Sequence, residues 1–351
     1  MKNGRRIFIG GVVSLLIVAA SASLGSSSIS FGDTIIITLH KIFRIPLPLS
    51  VDPLNVSIVW LLRLPRVLLA FLAGGCLAIS GAVCQSILRN PLASPYILGV
   101  SSGASLGAGI IIISGITLPF LGGFSLPLTG FVFGLLTVFF VAAFSSRIDR
   151  SMSSNTIILC GMVLSLFLNA VLTMLSAIYS DDLRRIALWQ MGSFAMRGWT
   201  YVLLLLPFFV IGAVGIFLYT REMDILSFGD DHAKSAGVET NSLRKKLLAL
   251  CAMLTGAAVA LSGVIGFVDL IAPHAARRII GSQHKHLIPM SFMLGGSLMV
   301  ITDLIARTIV SPSEMPVGAI TALIGAPFFA WVYFRRRSGL QQGKRAAGIG
   351  K

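Results

Sequence analysis

Residues 67–99 read VLLAFLAGGCLAISGAVCQSILRNPLASPYILG, and residues 249–281 read ALCAMLTGAAVALSGVIGFVDLIAPHAARRIIG. Aligned without a gap, they agree at about a dozen positions, among them Gly74/Gly256, Ala78/Ala260, Ser80/Ser262, Gly81/Gly263, Leu88/Leu270, Pro91/Pro273 and Gly99/Gly281. Helices rich in Gly, Ala and Ser resemble one another by composition, but composition does not put prolines in register. The repeat therefore divides the chain into two structural halves.

Around that repeat the sequence is strongly apolar. Of 351 residues, 55% are hydrophobic and 12% charged, with a mean hydropathy of +0.90. A soluble domain carries about a quarter charged residues, so the excess apolar surface calls for lipid. Apolar runs of roughly 20 residues suffice to cross the hydrocarbon layer. The pattern predicts an all-α membrane protein with about ten spans: 7–27, 59–83, 92–113, 124–145, 156–178, 199–220, 247–267, a short 268–282, 288–310 and 316–334. The copies fall in the second and seventh spans, five steps apart. They then enter the membrane from opposite sides, as in the inverted repeats of transporters.

The formal charge of +15 could point to nucleic acid, but its placement argues for topology. Ten spans put both termini on one side. That side carries Lys2, Arg5, Arg6, Arg89, Arg147, Arg150, Arg221, Lys234, Arg244, Lys245, Lys246, Arg277, Arg278, Lys285 and a basic tail at 335–351. The other side has only Lys41, Arg44, Arg63, Arg66, Arg184, Arg185, Arg197 and Arg307. The heavier side is expected in the cytoplasm, in contact with anionic lipid. Residues 5–25 could pass for a secretory signal, yet removing them would leave nine spans, so they read as the first helix. Cys76, Cys84, Cys160 and Cys251 lie in or beside spans, without metal-ligand spacing, and read as small buried hydrophobes.

Along the chain, residues 28–58 read as an outside loop in which Pro46, Pro48 and Pro53 exclude a long helix. The second span opens at Arg63-Leu-Pro-Arg66, where a proline is tolerated near a helix start. Residues 90–105 form a Pro/Gly/Ser-rich reversal, which survives at membrane depth only inside protein or beside a wet cavity. Residues 221–246, REMDILSFGDDHAKSAGVETNSLRKK, form the longest inside loop and read as two short helices broken at Gly229–Asp230 and Gly237. Such a loop either docks a soluble partner or is a solvated connector.

No G-x-x-x-x-G-K-[ST] phosphate loop is present; Gly339 to Arg345 has the wrong spacing. ATP chemistry in this chain is not expected. His284-Lys-His286 reads as a solvated charge cluster, and no metal site is expected. Two acids fall within the spans, and an intramembrane carboxylate is a functional candidate by default. Asp303 stands four residues before Arg307 and is expected to pair with it. Asp269 is left to pair with Arg277 or Arg278, or to be reached by water.

Arg63-Leu-Pro-Arg66, Leu77-Ala-Ile-Ser-Gly-Ala82, Gln85, Arg89-Asn-Pro-Leu-Ala93, Pro95 and Leu98-Gly-Val-Ser-Ser-Gly-Ala104 resemble the FecCD-type permeases. So do Trp189-Gln-Met-Gly-Ser193, Gly266-Phe-Val, Pro273-His274, Asp303-Leu-Ile-Ala-Arg307, Glu314-Met-Pro-Val-Gly318 and Thr321 to Phe328. These are membrane subunits of ABC importers for iron–siderophore complexes, haem and vitamin B12. The resemblance covers roughly 55–335. It implies the type II ABC importer permease fold: a single transmembrane domain over 1–351, with repeat halves at about 59–178 and 247–334. It further implies a second permease subunit (a homodimer or a close paralogue), two cytoplasmic ATPase subunits that bind ATP and Mg, and an extracytoplasmic substrate-binding protein. The setting would be the bacterial cytoplasmic membrane.

Residue roles follow by position. Arg63, Arg66 and Arg307 match arginines that receive acidic residues of the binding protein, for which a guanidinium offers a bidentate fork. Headgroup snorkelling for Arg63 and Arg66, and the Asp303 pair for Arg307, are the alternatives. The 221–246 segment matches the coupling helices that sit in the ATPase, with Leu226, Ser227, Gly229, Ala236 and Gly237 as contact positions. Gln85, Asn90 and Pro91 are expected along the path. Ser153, Ser154 and Asn155 match the inner gate region, although helix N-capping reads the same residues equally well. One position departs from the family: Asp269 stands where glycine is usual.

The expectation is therefore an ATP-driven importer subunit carrying a metal chelate, a ferric siderophore first, with vitamin B12 or haem as alternatives. A proton-coupled secondary transporter resting on Asp269 and Asp303 is the rival. An intramembrane enzyme would need a nucleophile–base pair that the sequence lacks.

Overall fold

A computed structural model describes residues 2–25, 29–48, 51–116 and 122–330; the basic tail at 335–351 and the end of the tenth expected span lie outside them. All regular structure among the described residues is helical. Helices α1 (Lys2–Ser23), α4 (Leu64–Ile87), α5 (Val100–Ser114), α6 (Ser125–Ile148), α7 (Ser154–Ile178), α9 (Trp199–Leu218), α12 (Thr240–Ser262), α13 (Val268–Ile280), α14 (His284–Thr308) and α15 (Val317–Ala330) correspond to the ten expected spans. Among the described residues seven helices are long and apolar enough to cross a membrane, while α5, α13 and α15 are shorter.

Helix α4 forms the centre, packed by α14, α12, α13 and α9. Its apolar window is 83% buried, against 17% for α7, so α4 is enclosed by protein and α7 is not. Small residues allow the enclosure, because lipid supplies no hydrophobic drive and close packing must hold the helices. At the α4/α14 crossing a Cβ on Gly74 would lie 2.4 Å from the Gly295 carbonyl oxygen. Beside it Phe292 stacks on Phe209 at 4.8 Å and meets Phe71 edge-on at 5.2 Å.

Segment 28–58 corrects the sequence reading. Helix α2 (Phe31–Phe43) occupies it, capped by Ser30, whose Oγ accepts the Asp33 N–H at 3.0 Å, and closed by left-handed Arg44. Pro46 and Pro48 follow this helix and so do not prevent it. Ile37 of α2 packs with Ile29, Val51 and Val59. The second span also starts earlier than the expected residue 59. A short helix α3 (Pro53–Ser57), capped by Asp52 and carrying proline at its first position, runs through a π-turn at Ile58–Arg63 into α4. In that turn the Leu64 N–H reaches back to the Val59 carbonyl, immediately before Pro65. The wider turn absorbs the mismatch that a proline creates inside a continuous helix.

The two copies of the repeat share their first helix and then diverge. In the first copy α4 runs on to Ile87, and residues 88–99 form turns with a short 3-10 helix at Pro95–Leu98. In the second copy α12 stops at Gly263, whose φ of +79° suits glycine, and α13 follows with Pro273 inside it. The copies touch at Gly81, where an added Cβ would sit 1.8 Å from the Asp269 carbonyl oxygen.

Candidate functional site

At the Arg63 end of α4, four arginines meet around a cavity of about 620 Å³ lined in part by Arg63, Arg66, Arg197, Arg307 and Glu314. Two of them close the C-terminus of α1, whose last carbonyls have no helical partners and carry the negative end of the dipole. Arg63 Nη1 donates to the Ser23 carbonyl at 2.5 Å, and Arg307 Nη2 donates to the Ser21 carbonyl and, at 2.9 Å, to Ser21 Oγ. Both side chains are buried.

Arg66 is held differently. Its Nε donates to both oxygens of Asp303 at 3.1 Å, and Nη2 donates to Asp303 Oδ1 at 2.8 Å. Nη1 and Nη2 also donate to the two oxygens of Glu314, at 2.7 and 3.0 Å. The expected Asp303–Arg307 pair is thus secondary: Arg307 Nε stands 3.7 Å from Asp303 Oδ2, and Arg66 takes the carboxylate. Sequence spacing pointed to the local partner, but Arg66 is 237 residues away in the chain.

Arg197 was not among the sequence candidates. It projects from the turn between α8 (Leu183–Met191) and α9, with its guanidinium 4.5 Å over the Tyr201 ring. Its buried Nε has no hydrogen-bond partner among the described residues. The turn is fixed on both sides, because Ser193 N–H donates to the Ser262 carbonyl and Val317 N–H to the Gly192 carbonyl.

At the other end of α4, the 221–246 segment forms α10 (Thr220–Leu226) and α11 (Asp230–Ser235), broken at Gly229 and Gly237 as expected. Inward contacts tie it down. Asp224 Oδ1 accepts the His284 N–H at 3.0 Å and lies 2.5 Å from His284 Nδ1, whose Nε2 is 2.6 Å from Ser86 Oγ. His284 is therefore a buried clamp between α10, α14 and α4, not part of a solvated cluster. Asp230 Oδ1 takes Arg244 at 2.8 Å and Arg89 at 3.3 Å, and the fully buried Arg244 also donates to the Ser151 carbonyl.

Of the expected contact positions on this loop, Leu226 is fully buried in the protein's own core and anchors the segment. Ser227, Ala236 and Gly237 are exposed and Gly229 half-buried. Phe228, which the sequence reading passed over, is 79% exposed between them.

Ser153 caps α7, with its Oγ accepting the Thr156 N–H at 3.4 Å; Ser154 Oγ is buried without a partner among the described residues, and Asn155 is exposed. Ahead of the cap, Asp149 accepts from Ser151 Oγ at 2.6 Å and from the Ser151 and Ser153 N–H groups. Those bonds, the Ser151 hydroxyl first, hold its carboxyl well below the usual range.

Gln85, Asn90 and Pro91 separate. Asn90 and Pro91 sit in the turn after α4, Asn90 Oδ1 accepting the Leu92 N–H at 2.9 Å. Gln85 is buried between the repeat copies, donating to the Asp269 carbonyl at 3.4 Å and accepting from Arg277. Asp269 does not take Arg277; its carboxylate accepts from Ser94 Oγ, and Oδ1 is buried without a partner among the described residues. Among those residues no cluster of His, Cys, Asp or Glu is placed to hold a metal ion.

With both ends described, comparison with known proteins decides the family. The model of the FecCD transport family matches residues 13–335. The chain belongs to the FecCD transport family. Hemin transport system permease protein HmuU of Yersinia pestis is 37% identical over 348 residues, covering 95% of this chain and 98% of that protein. The ABC transporter permease protein YvrB of Bacillus subtilis is 45% identical over 290 residues, 83% of this chain and 82% of that one. A solved inward-facing structure of a metal-chelate type ABC transporter superposes with a TM-score of 0.83 at 32% identity, covering 95% of this chain and 99% of its own. This family member is a multi-span transport permease with an all-helical fold.

Proposed function

We propose that the chain is the membrane subunit of an ATP-driven importer that carries a bulky metal chelate, a ferric siderophore, inward across the cytoplasmic membrane. The observation that carries this reading is the contrast between its ends: a cationic cavity at Arg66, and a loop clamped inward that leaves Phe228 and small residues facing out. ATP is hydrolysed by two separate cytoplasmic subunits with their own Mg, the arrangement that membership among ABC importer permeases supports. They receive α10 and α11, and closure of the ATPase dimer moves the loop and alternates access.

The Arg66 end faces outward and receives an extracytoplasmic binding protein through its acidic side chains. The Arg89 end and both termini face the cytoplasm, in line with the distribution of Lys and Arg. A second permease subunit covers the exposed apolar face of α7, which carries Leu166 and Phe167, and the path runs between the two. Ser153, Ser154 and Asn155 line the inner gate. Of the two acids on which proton coupling would rest, Asp303 is neutralised by Arg66, whereas Asp269 accepts from the Ser94 hydroxyl, so uptake by the chain alone under a proton gradient is the test of that rival.

Relatives named for hemin and for cobalamin keep haem and vitamin B12 as the second reading of the cargo. Growth of an iron-starved deletion strain separates the cargoes. Loss of growth on ferric hydroxamate, with haem and cobalamin use intact, supports the siderophore; loss of cobalamin use alone replaces it.

A further inference from the structure

The two carboxylates on Arg66 are not equivalent. Asp303 projects from α14 with its side chain 1% exposed and takes the Nε side of the guanidinium. Glu314 projects from the turn after α14 with its side chain 37% exposed, and takes Nη1 and Nη2 as a fork. The backbone beneath it is fixed, since Met315 N–H donates to the Ala306 carbonyl at 2.9 Å. Glu314 therefore reaches over the cavity by its side chain alone. Around the same space stand Arg63, Arg66, Arg197 and Arg307 against two acids, Asp303 and Glu314, a surplus of two positive charges. Arg197 adds a buried Nε that nothing described satisfies.

We propose that Glu314 is a resident stand-in for a guest carboxylate: an acidic side chain of the docking protein displaces it from the Nη1–Nη2 edge of Arg66 and is met by Arg197. This rests on the docking reading above and adds to it the edge that is used and the group that must leave. Two features make the exchange feasible. Asp303 keeps Arg66 neutralised and oriented throughout, so no buried charge is ever stranded. The released Glu314 is already part-exposed and is rehydrated at small cost, whereas the guest gains a bidentate charge-assisted pair inside a cationic cavity. Specificity follows as well: a guest with neutral side chains has nothing to offer in exchange for Glu314, and the mouth stays self-paired.

The test uses the full chain with its ATPase subunit in detergent and two probes, a fluorescein-labelled hexaglutamate peptide and the importer's own binding protein. Glu314→Gln should bind the peptide about tenfold more tightly than the unsubstituted protein, the scale of one exchanged charge pair. Arg197→Gln in the Glu314→Gln background should remove most of that gain. Thermal unfolding of Glu314→Gln is measured alongside, since an essential counter-ion would lower both stability and affinity. Unchanged or weaker peptide binding by a stable Glu314→Gln overturns the displacement. Tighter peptide binding with unaltered affinity for the binding protein overturns the docking reading instead, so the two failures are told apart.

Discussion

At the Arg63 end of α4, cations outnumber acids around an open cavity, whereas at the Arg89 end Asp224 and Asp230 are each spent on a cation or His of the core. The first end gathers more guanidinium than carboxylate around a space that a partner can fill. The second uses Asp224 and Asp230 to fasten two short helices to α14, α12 and the end of α4, and presents Phe228 and small residues beside the exposed Arg221, Asp231, Lys234 and Glu239. On the proposed docking, recognition at the arginine end rests on electrostatics, which favours selectivity and fast encounter. At the other end the proposed contact lies on Phe228 and the small residues beside it, which suits a joint that transmits force.

The sharpest break in that contrast is expected at Arg66. Arg66→Ala leaves the buried Asp303 carboxylate with only the longer 3.7 Å approach of Arg307 and should cost about 3–5 kcal/mol of stability in denaturant or thermal unfolding. Arg66→Met combined with Asp303→Leu should recover most of the loss, because an apolar pair of similar volume needs no counter-charge. A single substitution that unfolds nothing would mean the pair is solvated.

At the loop end, neighbouring residues are expected to behave oppositely. Leu226→Ala should lower stability by about 2–5 kcal/mol, as for other fully buried leucines. Phe228→Ala should leave stability unchanged and weaken binding of the ATPase subunit by roughly 30-fold, the effect of a 2 kcal/mol anchor. Equal ATPase binding by Phe228→Ala would move the docking surface elsewhere. Asp224→Asn should cost about 1–3 kcal/mol and raise hydrogen exchange across α10, since His284 loses its charged acceptor.

The smallest effect concerns pH at the turn before α7. Asp149 has its carboxyl depressed by the Ser151 hydroxyl and the N–H groups of Ser151 and Ser153. A depressed acid contributes stability above its unfolded pKa of about 3.9 and loses it as pH falls through the folded value. Order at residues 149–154, followed by hydrogen exchange, should hold from neutrality down to that range and decline only below it. Asp149→Asn should remove this dependence.

Much of the fold is legible in the sequence because each span satisfies its backbone within itself, leaving an apolar run of fixed length. The break of 221–246 into two helices was likewise readable from Gly229 and Gly237. Helix α2 was not, because three prolines downstream dominated the reading while the Ser30 cap is a local feature of ordinary appearance. Nor was the continuous start at Pro53, since a π-turn before Pro65 leaves no signature. The roles of Arg63 and Arg307 as caps of α1 depend on contacts 40 and 286 residues apart. Spacing on one helix suggested Asp303 with Arg307, and only the crossing of α4 and α14 reveals Arg66 as its partner. Phe228 was overlooked because an aromatic residue in an apolar chain reads as core until its exposure is known.

The most direct test of the account is transport by the purified chain in proteoliposomes loaded with ATP, given ferric siderophore and its binding protein outside. With the ATPase subunit present, accumulation against a gradient is expected, and it should cease when ATP is withheld. The chain alone, with or without a proton gradient, should accumulate nothing. Sustained uphill uptake by the chain alone would contradict the central claim.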